Sequence, residues 1–207
     1  MTPVLKRRTH SEDQREKTSE VIKSILKRKY VDLKLVGLSI KENIIEENTE
    51  IVCKLLFGKK KLTIKGLGKG PVDALFAALV DNLSGEYCSL KNLYFAKFSI
   101  EADIEKYLKS SKTDAAVAAT LEIDNGCDPL LFRERANSIN VVSARVVLSA
   151  IEHFINAEKC VIMLYKNIQA AKKRNRGDMS GIYTQQLAEI VKNISYENVI
   201  SKLKKTN

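Results

Sequence analysis

The sequence contains no tryptophan, and aromatic residues make up only 6% of its 207 residues. Any hydrophobic core must therefore be built mainly from leucine, isoleucine, valine and alanine. Hydrophobic residues still amount to 44% and charged residues to 29%, which is typical of a globular protein and excludes a disordered chain. The length fits one domain of ordinary size with helical extensions.

Long hydrophobic runs and closely spaced cysteines are also missing. No apolar segment approaches the roughly 20 residues that a transmembrane helix requires, and the first thirty residues are too polar for a secretory signal. The four cysteines, Cys53, Cys88, Cys127 and Cys160, are far apart and form no C-x-x-C motif. This pattern predicts reduced thiols, with Cys53 buried in a strand, and favours a cytoplasmic protein without a membrane partner.

The positive charge of the chain is unevenly distributed. The formal net charge is +10, but residues 46–158 contain 14 Lys and Arg against 16 Asp and Glu, a net of −2. The segments on either side therefore carry a net charge of +12. This predicts basic arms on a near-neutral domain rather than a basic domain.

Hydrophobic periodicity predicts a repeated order of strands and helices in the middle of the chain. Alternating apolar residues predict strands near 33–36, 51–57, 62–65, 94–104, 115–123 and 130–132. Helical spacing predicts one helix over 70–84 and a second from Ser138 or Asn140 to about Asn156. We therefore expect an α+β domain of two βββα units with pseudo-twofold symmetry, because each unit offers an apolar sheet face and an amphipathic helix.

Helical segments are predicted on both sides of this domain. The expected division is a basic helical arm over 1–29, the α+β domain over 30–158, and a basic helical extension over 159–207. The extension is expected to break at 172–177 and to resume as helix over 183–191 and 196–203.

The junction between the third strand and the first helix of the domain carries the most informative motif, GLGKGPVDA over residues 66–74. Its glycines permit a tight turn and a close backbone approach, and the helix start offers free N–H groups to an anion. The spacing is neither G-x-G-x-x-G nor that of a Walker loop, which favours a structural turn over a nucleotide site. Asp73 could contact a ligand ammonium group or cap its own helix.

Residues 68–75, GKGPVDAL, resemble the G-x-G-P-V-D-A-L signature of the regulatory domain shared by 2-isopropylmalate synthases and citramalate synthases. Thr113-Asp114-Ala115 is similar to the T-D-A that starts the family's fifth strand. Residues 140–144, NVVSA, resemble the N/D-I-V-x-A opening of its second helix. The matches follow the family's order and cover about residues 33–158. The sequence departs from the family at 134–136, where Glu-Arg-Ala replaces G-x-G, and at Arg145, where a small residue is usual.

The resemblance implies an allosteric domain of leucine biosynthesis that forms a homodimer and binds an amino-acid effector such as leucine. It implies effector-binding positions at Gly68, Gly70, Asp73, Leu93, Lys97, Asp114, Ala115, Val117 and Asn140. In the family, a separate catalytic (β/α)₈ barrel of about 250 residues uses a divalent metal and acetyl-CoA. The two histidines, His10 and His153, do not form that barrel's His-x-His motif. We therefore expect no catalytic residues, metal or cofactor in this chain, and a catalytic subunit of that type as a candidate partner.

Two other hypotheses stay open. The chain could be a nucleic-acid-associated protein that is built on the same fold and uses its basic flanks. It could also be a ligand-free scaffold that keeps the dimer interface, because Glu134 and Ala136 replace both glycines of the second turn.

Overall fold

The computed structural model describes residues 10–102, 116–126, 129–191 and residue 199. The helices are α1 (His10–Leu26), α2 (Pro71–Leu83), α3 (Ile139–Lys173) and α4 (Gly177–Val191), and short 3-10 helices span Lys27–Lys29 and Cys88–Asn92. The strands are β1 (Leu33–Asn43), β2 (Asn48–Phe57), β3 (Lys60–Gly68), β4 (Tyr94–Ala102), β5 (Val117–Asp124) and β6 (Leu130–Ala136). The predicted α+β class is confirmed, and the order strand–strand–strand–helix occurs twice.

The strands form two separate antiparallel sheets, in the orders β1-β2-β3 and β4-β5-β6. Gly58 lies in the turn between β2 and β3, and Gly126 lies just after β5. Both glycines have positive φ values, 59° and 81°, which side-chain-bearing residues rarely adopt. The first strand of each sheet contains a β-bulge, located between Leu35 and Gly37 in β1 and between Phe95 and Lys97 in β4.

One hydrophobic core joins both sheets to α2 and to the first half of α3. The alternating residues Ile51, Cys53 and Leu55 of β2 and Leu121 and Ile123 of β5 are buried, as the sequence pattern predicts. Cys53 is a free thiol, and its burial raises its pKa to about 11. The burial that was expected for this cysteine is therefore confirmed.

Helix α3 is longer than the sequence pattern predicts. It begins after Ser138, whose Oγ accepts a hydrogen bond from the Val141 N–H at 3.5 Å, and it continues past Asn156 to Lys173. The predicted end near Asn156 was wrong because no glycine or proline follows it and the apolar stripe continues. The later buried residues on this stripe are Ala157, Cys160, Val161, Leu164, Ile168 and Ala171. The limit expected between residues 158 and 159 therefore lies inside one helix.

The two flanks of the chain pack against each other on the second half of α3. Ile22 and Leu26 of α1 share a second hydrophobic cluster with Leu164 of α3, Ile190 of α4 and Val199. Residues 174–176 separate α3 from α4, within the predicted loop. The predicted start of the next helix at 183 was wrong, because α4 already begins at Gly177, with Asp178 in its first turn. Residues 1–9 and most of the predicted helix over 196–203 lie outside the described residues.

Candidate functional site

The glycines of the β3–α2 junction allow the strand to lie directly against the helix. A Cβ atom on Gly68 would stand 2.6 Å from the Ala74 nitrogen, and one on Gly66 would overlap the Ala74 carbonyl oxygen and approach Ala78 Cβ to 2.7 Å. Gly70 has an extended backbone, and nothing lies within 4 Å of its Cβ position. Two of the three glycines are therefore required by helix–strand packing.

Asp73 binds its own backbone at this junction. Its Oδ2 accepts a hydrogen bond from the Lys69 N–H at 3.1 Å, just before the helix start at Pro71. An acidic side chain in the first turn also interacts favourably with the helix dipole. Of the two roles that the sequence left open for Asp73, this geometry provides the capping one.

At the second junction, between β6 and α3, Glu134 and Ala136 occupy the positions that Gly66 and Gly68 occupy at the first. Glu134 and Ala136 lie four and two residues before the N-cap Ser138, as Gly66 and Gly68 do before the N-cap Gly70. Both belong to β6 rather than to the turn, and both are partly exposed. The close contact made by the glycines of β3 is therefore not repeated through glycine in β6.

The remaining effector positions do not come together in one place within the described residues. Lys97 is exposed and pairs with Glu122, whereas the buried Val117 lies on the other face of the sheet, five residues away along β5, or about 16 Å. Leu93 is buried just before β4, and Asn140 is exposed in the first turn of α3. Two further positions, Asp114 and Ala115, lie outside the described residues. The effector site stays a prediction.

A polar cleft that the sequence pattern did not predict lies between α1 and α3. It has a volume of about 250 Å³, and Arg15, Ser19 and Lys23 of α1 face Glu152 and His153 of α3 across it. Its lining combines both signs of charge with hydroxyl groups, and so it could accept a small polar molecule but is too polar for an apolar one.

Two of the polar residues on α3 hold the segment that leads from α1 into β1. The Tyr30 hydroxyl donates to Glu152 Oε1 at 2.8 Å, and the Leu33 N–H donates to Oε2 at 2.6 Å. Asn156 accepts from the Val31 N–H and donates to the Val31 carbonyl, both at 2.8 Å. Burial raises the pKa of Glu152, and the hydrogen bonds from Leu33 and Tyr30 oppose that rise. Both side chains thus satisfy backbone or hydroxyl groups of the connecting segment.

His153 is buried beneath α1 as a neutral imidazole. Its Nδ1 lies 3.2 Å from Ser19 Oγ, and its ring packs edge-on against Phe132 and Phe154. Burial, followed by the nearby Arg15 charge, lowers the pKa of His153 to about 3. A histidine with such a low pKa is poorly matched to acid–base chemistry near neutral pH. Its Nε2 has no hydrogen-bond partner among the described atoms.

Glu158 holds the connection between the two βββα units. Its Oε2 accepts from the Ser89 N–H at 2.8 Å, and its Oε1 accepts from Cys88 Sγ at 3.4 Å. The residue is fully buried.

The sequence contained a signal for the polar residues of α3, because Glu152, Asn156 and Glu158 interrupt the apolar pattern of a helix that must pack on several sides.

Within the described ranges, no group of three or more His, Cys, Asp or Glu residues is arranged to hold a metal ion. Over the same residues, no helix combines the length and apolarity that a membrane crossing requires.

No protein-family model matches the chain, and no curated protein matches it. The family resemblance therefore rests on the motifs at 68–75, 113–115 and 140–144.

Proposed function

We propose that this chain is a regulatory and dimerisation module, similar to the leucine-responsive allosteric domain of 2-isopropylmalate synthases, and that it carries no catalytic activity alone. The observation that supports this most directly is the β3–α2 junction. There, Gly68 of the G-x-G-P-V-D-A-L motif and Gly66 just before it allow close packing between strand and helix, and Asp73 accepts a hydrogen bond at the helix start. A motif with these structural roles suits a regulatory domain, which stabilises one conformation or passes a conformational change to another part of an assembly.

The proposal includes a pseudo-twofold relation between the two βββα units. Both sheets have their bulge in the first strand, and in both the third strand runs directly into a helix. Glu134 and Ala136 occupy the positions in β6 that Gly66 and Gly68 occupy in β3. The difference between the two junctions favours an asymmetric module. An effector bound to it would contact unlike residues at the starts of α2 and α3.

The proposed module acts in the cytoplasm as a homodimer, with a catalytic subunit of the isopropylmalate-synthase type as its partner. The half-buried Glu152 and the buried Glu158 support a non-catalytic role, because their oxygens accept hydrogen bonds that hold chain segments. A ligand-free scaffold is the second version of the same proposal, and it is motivated by Glu134 and Ala136, which replace both glycines of the second turn.

Sedimentation velocity across a hundredfold range of concentration tests the dimer, and calorimetric titration of the same sample tests the effector. We expect a species of twice the 23.2 kDa chain mass, and saturable binding of leucine that is tighter than that of isoleucine. A dimer that does not bind leucine would support the ligand-free scaffold version of the proposal. A strict monomer at the highest concentration would contradict both versions.

A further inference from the structure

The outward face of the β1-β2-β3 sheet concentrates lysines that are scattered along the sequence. Cross-strand pairing places five exposed side chains on this one face, and we call this surface the lysine face: Lys34, Lys41, Lys54, Lys61 and Lys65. The pairing runs from Lys34 through Leu56 to Lys61, and from Ser39 through Val52 to Lys65. The lysines thus extend over all three strands.

The lysine face has very little negative charge to balance it. The one acid on it is Glu50, whose carboxylate lies 3.6 Å from Lys41 Nζ. Within the described part of the chain, the other four lysines make no ion pair. The turn after β2 adds Lys59 at one end of the face, whereas the turn after β1 places acids at the other. The positive charge is therefore strongest toward the β2–β3 turn.

The equivalent face of the other sheet shows that this imbalance is not a general property of the fold. Its outward residues include three basic and three acidic side chains: Lys97, Arg133, Arg135, Glu101, Glu122 and Asp124. Arg133 and Glu101 form an ion pair at 3.3 Å. The two outward faces have the same strand arrangement but very different charge.

The spacing on the lysine face suits an extended array of anions. Lys54 pairs with Thr63, and so it lies diagonally between Lys61 and Lys65 at a Cα separation of about 7–8 Å from each. Lys61 and Lys65 are about 13 Å apart along β3. Val52 and Leu56 are half-buried between the lysine side chains, whose aliphatic stems can cover them.

We infer that the lysine face binds the phosphate backbone of duplex nucleic acid, without reading its base sequence. Lysine is depleted at protein–protein interfaces, which argues against an acidic protein as the occupant. The face carries no aromatic side chain, and so it lacks the stacking platform that single strands use. A duplex presents about one negative charge per 1.7 Å of axis and requires only an array of cations. This surface is distinct from the basic flanks and is separate from the proposed regulatory role.

Fluorescence anisotropy with a labelled 20-base-pair duplex of arbitrary sequence tests this inference on the full chain. Four neutralised phosphates predict a slope of log K against log salt near −3.6, or about 100-fold weaker binding at 200 mM than at 50 mM salt. The variant Lys54→Gln/Lys61→Gln/Lys65→Gln should bind at least about tenfold more weakly at 50 mM salt, with the slope reduced by about 2 to 3. All three positions are exposed, and circular dichroism will verify that the variant is folded.

The matched control is Lys172→Gln/Lys173→Gln/Arg174→Gln, which removes the same charge from exposed residues at the end of α3. It should keep affinity within about twofold of the unsubstituted chain. Equal losses in both variants would show diffuse attraction to net charge and overturn the inference. A loss of affinity confined to the control variant would also overturn it. The same holds if an unlabelled single strand or a poly-glutamate peptide competes better than the duplex, or if the chain does not bind the duplex at 50 mM salt.

Discussion

Individual residues in this protein mostly serve the chain itself, even where their chemistry resembles that of a site. Asp73 satisfies a backbone N–H before its helix, and Glu158 satisfies one in the segment between the units. The type of residue at each position was evident from sequence. Its partner was not, because Glu158 and Ser89 are 69 residues apart and only folding brings them together.

The two glycines that contact α2 give a direct test at this scale. Gly68→Ala should lower the free energy of unfolding by about 1–3 kcal/mol, because its Cβ would stand 2.6 Å from the Ala74 nitrogen and 2.8 Å from its Cα. Gly70→Ser places a larger side chain where space is open and where serine is preferred as an N-cap, and its effect should stay within about 0.5 kcal/mol. Urea unfolding of both variants makes the comparison. Equal stability would mean that β3 and α2 are not in close contact.

The buried His153 predicts a pH-dependent stability. Its pKa of about 3 in the folded chain is below the ordinary 6.5, and so the unfolded chain binds the proton more readily. The stabilisation is complete above about pH 6.5 and is lost as the pH falls toward 3. Between pH 7.5 and 5.0, the free energy of unfolding should fall by about 2 kcal/mol more in the unsubstituted chain than in His153→Gln.

Urea titrations at the two pH values measure this difference for the unsubstituted chain and for His153→Gln. His10→Gln removes the other histidine and should keep the full pH dependence. If the His10 variant loses the dependence and the His153 variant keeps it, the assignment to the buried imidazole is wrong.

At the scale of elements, α3 connects parts of the chain that the sequence pattern treated as separate. Its first half covers the sheets, and its second half receives α1 and α4. The polar residues along it hold residues 30–33 and 88–89. Its start was predicted because Ser138 is a capping residue before an apolar stripe. Its end was not, because the stripe continues and changes only the surface that it packs against.

Docking of α1 onto α3 can be tested with two isoleucines. Ile22 is 1% exposed in the second cluster, whereas Ile182 of α4 is 51% exposed. Ile22→Ala should cost about 2–4 kcal/mol of stability and accelerate amide hydrogen exchange in α1, because it leaves a cavity against α3. Ile182→Ala should change stability by no more than about 0.5 kcal/mol. Unchanged exchange in α1 after Ile22→Ala would show that the helix does not depend on this contact.

At the scale of the whole molecule, charge is organised by surface rather than by segment. A count along the sequence placed the positive excess in the flanks. In that count, the charges of Lys54, Lys61 and Lys65 are cancelled by acids elsewhere in residues 46–158. In the fold, Glu50 is the only one of these acids on the lysine face among the residues that the structure describes. Cross-strand pairing gathers the lysines, and a local count cannot detect that.

The sequence by itself determined the fold class, the two groups of three strands, the strand–helix junction and the starts of α2 and α3. These follow from local rules, namely the alternation of buried residues, helical spacing, and the backbone preferences of glycine, proline and capping residues. The family resemblance also came from three short local motifs.

Only the tertiary structure decided which side chains meet across large distances in the chain. Helix packing creates the polar cleft, the burial of His153, the hydrogen bonds of Glu152 and Glu158, and the second hydrophobic cluster. Strand register creates the lysine face. Their partners are separated by tens to more than a hundred residues, and no local pattern encodes such a pairing. The physical reason is that burial and electrostatic environment belong to the assembled surfaces rather than to any one segment.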